Sequence, residues 1–271
     1  RSFPTFHGAV TVRQFLTPIA TAMLVDTQPA TYQHVPATAE VRDQWVNSRL
    51  IGVLMDNVMP SLGAAMMAIP VVVLVLWGQV NTYALVAWTG TLLFMIAYRY
   101  RMLGIYRLRY DSQEGPQRLA FVKRYQWTWL VVGVLWGSVV VLCFGRSSVG
   151  TQFVCGMLVL GQGLLTLVAF SSYLPIFRRY ANGVLLTVAF GLVLNTITYG
   201  YTTESLRLGG SLLALLGVFW WLLMMAGKRL HQVYRSSFEL QFSNQELIDS
   251  LTQQTRASLR ATDYGNLADR L

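Results

Sequence analysis

The sequence predicts an all-α membrane protein, a six-transmembrane-helix bundle whose last span runs on into a long cytoplasmic C-terminal helix with coiled-coil character. Three observations carry that prediction. Of the 271 residues, 54% are hydrophobic and only 12% are charged, roughly half the charge of an ordinary soluble domain. The charges avoid six stretches altogether: 57–78, 81–98, 126–145, 152–174, 181–201 and 208–227. Beyond 227 the chain turns polar, yet it holds no Gly or Pro between Lys228 and Asp263. This distribution excludes a soluble enzyme and, despite a net charge of +9, a nucleic-acid partner.

Residues 1–40 read as a cytoplasmic N-terminal segment. No apolar run follows Arg1-Ser2-Phe3-Pro4 closely enough for a signal peptide, so none is expected. The apolar run at 15–25 is too short to span and is expected at the membrane interface or on other cytoplasmic parts. Two prolines make 26–40 a linker. From Val41 the pattern becomes helical, with Val46, Leu50, Val53 and Leu54 on one face and Arg42 and Arg49 elsewhere. An amphipathic helix over 41–56, lying on the inner surface and leading into the first span, is expected.

Residues 57–227 hold the six spans. Each uncharged stretch is 18–23 residues long, and about 20 helical residues cross a hydrocarbon core of ~30 Å. In lipid the backbone must satisfy its own hydrogen bonds, which makes each span a helix. The shortest, 81–98, is marginal in length. Nineteen of the 21 basic residues lie in the N-terminal segment, the 99–125 loop, the link at 175–180 and the tail after 227; only Arg146 and Arg207 occupy the alternate connections. The positive-inside rule therefore puts both termini in the cytoplasm, the basic side facing anionic lipid. The outer connections at 79–80, 146–151 and about 202–207 leave no outer domain to capture a soluble ligand. Tyr98, Tyr100, Tyr106 and Tyr110, interleaved with the arginines of 99–125, read as interfacial anchors. Cys143 and Cys155, near the outer ends of the third and fourth spans, read as buried apolar residues that could face each other.

No catalytic residue, metal site or cofactor is expected. His7, His34 and His231 are dispersed, and there is no HExxH, Cys-His cluster or glycine-rich phosphate loop. The ligand-pocket candidates are polar or aromatic side chains away from span ends: Trp88, Trp136, Gln162, Asn195, Thr198 and Trp220. They would take a small hydrophobic ligand, or simply bond neighbouring helices at about 1 kcal/mol or less each. The spans hold no ionisable group, which argues against an ion-coupled transporter.

Residues 228–271 read as a juxtamembrane coiled-coil linker. A heptad places Leu230 and Leu251 at d and Val233, Leu240 and Leu247 at a, with Ser237, Asn244 and Ser258 at d and Gln254 at a. Alternating apolar and polar core positions suit a marginal parallel homodimer in which Asn244 sets register. The spacing of eight from Leu251 to Leu259 marks a local register shift. A solvated amphipathic helix folded onto the inner surface is the alternative.

Certain features are shared with a known family. They are the basic amphipathic helix before the first span, the long Arg-rich second cytoplasmic connection, and WTWLVVGVLWGSVVVLCF with its triplet Leu135-Trp136-Gly137. The exit KRLHQVYRSSFELQFSNQELIDSL adds a basic start, then F-E-L-x-F, then N-x-E-L. In these, residues 41–251 resemble the six-span N-terminal input region of bacterial sensor histidine kinases, often hybrid kinases, and of some diguanylate cyclases. The resemblance implies a two-component protein of the bacterial inner membrane. Its phosphoacceptor helix and ATP-binding domain would lie beyond residue 271, and its downstream partner would be a response regulator. It carries over no catalytic residue. The last span would relay a ligand or bilayer change into the coiled coil. The input of a diguanylate cyclase, a non-enzymatic membrane anchor and a small transporter are the alternatives.

Overall fold

The computed structural model describes residues 39–111, 113, 115–198 and 203–268, except for the side chains of 204, 205 and 257–268. The run at 15–25, most of the 26–40 linker, His7, His34, the heptad position Ser258 and the step to Leu259 lie outside the described residues and side chains. The helices in chain order are α1 (Ala39–Leu76), α2 (Thr82–Arg109), α3 (Gly115–Tyr125), α4 (Trp127–Cys143), α5 (Val149–Phe170), α6 (Leu174–Thr198) and α7 (Thr203–Ala268). Among the described residues there is no strand.

Five segments are long and apolar enough to cross a bilayer: α1, Gly115–Cys143 (α3 with α4), α5, α6 and Leu206–Arg256 within α7. Six are expected from the uncharged stretches, and the one that falls short is 81–98. Helix α2 has length to spare at 28 residues, but Tyr83, Trp88, Thr89, Thr91 and Tyr98 dilute its apolar run. Its start is well made. The Asn81 side chain accepts hydrogen bonds from the backbone N–H of Tyr83 (2.9 Å) and Ala84 (3.2 Å), satisfying two donors that the first turn leaves free.

The helix expected at 41–56 and the span expected at 57–78 are one 38-residue helix, with Pro60 and Pro70 inside it. Each proline removes an i→i−4 bond, and packed neighbours let a helix tolerate that loss. Continuity follows from one buried stripe, Val46, Leu50, Leu54, Val58, Leu62, Ala65, Ile69, Val72 and Leu76, repeating every three or four residues. The apolar face of 41–56 is thus turned to protein. Val46, Leu50 and Leu54 are buried and Val53 half-buried, and α1 packs on α3 and α7 as well as on α2 and α5.

The segment expected as a 99–125 loop is largely helical, because α2 runs on to Arg109 and α3 begins at Gly115. Arg118 closes the turn between them, donating to the backbone carbonyls of Tyr110 and Asp111. Tyr106 is buried rather than interfacial, its ring 5.5 Å from Phe121, while Tyr110 lies 4.8 Å from the same ring. Tyr100 alone of the four tyrosines is exposed.

Helices α4 and α6 make the closest pair. A Cβ placed on Gly133, Gly137 or Gly183 would come under 3.0 Å from the opposing backbone, at Tyr180, Val184 and Leu130 respectively. Small residues four apart let helix backbones approach within dispersion contact. Two tight turns, with Gly78 and Gly145 both at φ 71°, a conformation that disfavours a Cβ, lie at one end of the bundle. Gln79 joins them by accepting from the Ser148 N–H at 3.1 Å. Cys143 and Cys155 are buried and free, and the Cys143 thiol donates to the Val140 carbonyl at 3.8 Å.

Helix α7 is continuous over 66 residues, so the last apolar stretch and the polar tail are one rod. It leans on α6, α1 and α5. Leu215, Val218 and Trp221 of its apolar stretch remain exposed, whereas Leu223 is buried.

Candidate functional site

Arg99 belongs to the core of the bundle. It sits on the buried stripe Leu85, Trp88, Leu92, Ile96, Arg99, Leu103 and Tyr106 of α2, immediately after the uncharged stretch 81–98. Its guanidinium carbon lies 4.8 Å from the Trp129 ring centroid and 5.6 Å from that of Phe170. Only 2% of Arg99 is exposed, and neither Nε nor Nη2 has a hydrogen-bond partner. No carboxylate pairs with it among the described residues.

That arrangement is out of balance. Removing a cation from water costs several kcal/mol even after relaxation, and a cation–π contact returns about 0.5–2 kcal/mol. Two such contacts offset only part of the desolvation. Trp129 Nε1, on the ring that the guanidinium covers, is also buried without a partner. Buried donors are normally satisfied, so an unpaired cation beside a second unmatched donor is a site arranged for an acceptor.

The arginine opens onto a small cavity of about 20 Å³, which it lines with Ser61, Gln162, Thr166, Phe170 and Tyr180. Tyr180 donates to the Gln162 side-chain oxygen at 3.4 Å. The hydroxyls of Ser61 and Thr166 are turned back onto Val58 O (2.9 Å) and Gln162 O (2.7 Å). A void of this size admits a water or a compact polar group.

Beside it runs an apolar slot of about 150 Å³ between α5, α6 and α7, with a contribution from the end of α4. Thr166 is a wall of both spaces. Gly156, Gly163 and Leu160 of α5, Ala181 and Val188 of α6, and Leu216 and Phe219 of α7 line the slot.

Of the six residues singled out as pocket candidates, Gln162 alone lines the cavity. Trp88 and Trp136 form an edge-to-face pair with centroids 5.9 Å apart, and Trp88 Nε1 donates to Leu135 O at 2.7 Å. They join α2 to α4. Asn195 is half-buried and its side-chain oxygen lacks a partner. Thr198 is exposed and bonds back to Leu194 O. Trp220 is 44% exposed and donates to Asn182 at 3.1 Å. Arg99, Tyr180, Ser61 and Thr166 are not among the sequence candidates. The periodicity of α2 holds the missing signal for Arg99, since 85, 88, 92, 96, 99 and 103 follow one helical face. Gly133-x₃-Gly137 likewise marks a close helix approach.

At the opposite end from the glycine turns, α7 is fastened to the bundle. His231 Nδ1 lies 2.9 Å from Ser172 O, and Arg235 bridges Asp43 and Glu239, each at 2.8 Å. Trp45 packs on Phe238 and Phe242 at 6.5 and 5.4 Å between ring centroids. These contacts take one face of the rod. The heptad residues Val233, Leu240, Asn244, Leu247 and Leu251 are exposed and Leu230 is half-buried, so among the described residues this stripe packs on no second helix.

No protein-family model matches this sequence, and no curated protein or solved structure is found to match it. The likeness to kinase input regions therefore stands on the quoted residues alone.

Proposed function

We propose that this chain is the membrane-embedded input module of a bacterial signal-transduction protein, a sensor histidine kinase of the two-component type. Helix α2 serves as the sixth span beside the five apolar segments. Its buried stripe and the Trp88 bond to α4 support that reading, because packing compensates for its lower apolarity. Both termini lie in the cytoplasm, as the basic residues indicate. A ligand or bilayer change alters how α7 leans on the bundle, and the rod passes that change to a homodimeric coiled coil and on toward a response regulator.

The observation that carries this reading is the continuity of α7. One unbroken helix joins a wall of the apolar slot, which ends at Leu223, to an exposed a/d stripe that begins at Val233 and runs to Leu251. A rigid rod with one end at a cavity and the other at a dimerisation stripe is a relay; an anchor needs no such coupling.

The test fuses residues 1–256 to a histidine-kinase output domain and inserts one to four residues after Gln245. Each insertion turns the helix by roughly 100°. Autophosphorylation is expected to rise and fall with the helical period. A flat response would leave a membrane anchor, and a module active only with a cyclase output would identify the diguanylate-cyclase alternative. A second check replaces Asn244 by Leu, which should strengthen dimer cross-linking and fix the output in one state. Unchanged cross-linking and unchanged output would count against the coil.

A further inference from the structure

We infer that the Arg99 cavity and the adjoining apolar slot together bind a single-chain amphiphile with a carboxylate head, a long-chain fatty acid in its simplest form. This deepens the sensory reading by naming the ligand class. Binding is measured on the isolated chain, so its failure and the failure of the relay are separate results.

The head is assigned by charge and size. Arg99 is buried to 2% exposure with Nε and Nη2 unpartnered, and a guanidinium fork matches a carboxylate bidentately. The cavity that it lines, about 20 Å³, has room for a compact head and not for a glycerol phosphodiester. Gln162 and Tyr180 line the same cavity with amide and hydroxyl groups.

The tail is assigned by adjacency. Thr166 borders both spaces, and consecutive residues, Gln162 then Gly163 and Tyr180 then Ala181, face the cavity and the slot respectively. Along α5 the slot runs from Thr166 back to Gly156, roughly 15 Å at the helical rise. That length accommodates an extended alkyl chain of about a dozen carbons at ordinary C–C bond lengths. Its third wall is α7, through Leu212, Leu216, Phe219 and Leu223. A chain lying there therefore touches the helix that leaves the bundle.

The experiment places the 271-residue chain in nanodiscs of zwitterionic phosphatidylcholine and titrates radiolabelled dodecanoate against empty discs. Saturable binding near one per chain is expected. Methyl dodecanoate, which keeps the tail and loses the charge, should compete at least tenfold more weakly. Arg99→Gln should weaken dodecanoate at least tenfold and abolish its advantage over the ester, while Arg99→Lys should retain part of it. Gly156→Leu fills the slot at a position where a Cβ meets nothing within 4 Å, and should also weaken binding. Non-saturable uptake, or an ester that competes as well as the acid on the unmodified chain, would overturn the proposal without recourse to any variant. Displacement of dodecanoate by equimolar phosphatidylglycerol in the disc would assign the head site to a lipid phosphodiester and overturn the carboxylate.

Discussion

Arg99 is held by aromatic faces rather than by a counter-charge. Cation–π contact with Trp129 and Phe170 fixes the guanidinium between α4 and α5, and the unmatched donors leave the charge under-compensated. Replacing a buried, poorly paired ion by an apolar group of similar volume is often neutral or stabilising by about 1–4 kcal/mol. Arg99→Met is therefore expected to raise the thermal unfolding midpoint in zwitterionic nanodiscs, while Trp129→Ala, which removes a fully buried ring, should lower stability by roughly 3–5 kcal/mol. Differential scanning fluorimetry on the two variants separates these outcomes. An equal loss from both would mean that Arg99 is a structural strut. An arginine on a core stripe is legible as a position in the sequence. Its lack of a partner is not, because Asp or Glu from any other helix could have met it.

Between helices, two contacts differ in kind. The α4–α6 pair depends on absent side chains, so Gly137→Val forces the backbones apart. Overpacking of this sort typically costs about 1–3 kcal/mol, and more where backbone stands opposite. The attachment of α7 to α1 depends on side chains that are present. The Arg235–Asp43 pair is roughly half-exposed and is expected to contribute less than about 1 kcal/mol, so Asp43→Asn should change little. Trp45, packed on two phenylalanines, is the stronger fastening. Trp45→Ala should increase hydrogen exchange along 228–245 while leaving α4 and α6 protected. Equal protection in both variants would show that the His231–Ser172 contact suffices. The helical nature of these elements is legible from composition and from the absence of breakers in 228–263. That 41–56 and 57–78 are one helix is not, since the same apolar face that suits a membrane surface also suits a neighbouring helix.

For the molecule as a whole, orientation is the property on which every functional reading depends. A reporter placed after Ser148 should read as outside and one placed after Gln113 as cytoplasmic; a cytoplasmic signal after Ser148 would reverse the assignment. The sequence by itself determined the all-helical, multi-pass character of this protein, because the length and apolarity of a bilayer-spanning helix are local properties, as is the imbalance of basic residues on which orientation is proposed. It also held the uninterrupted run that makes α7 a single rod. Only the tertiary structure decided which residues meet: the buried arginine without a carboxylate, the polar cavity opening beside an apolar slot, and the docking of α7 on the beginning of α1. Those are long-range contacts, set by the rotation of each helix about its axis and by which neighbour fills the groove beside it. Hydrophobic runs constrain neither, since nearly every face of such a run is equally at home in lipid.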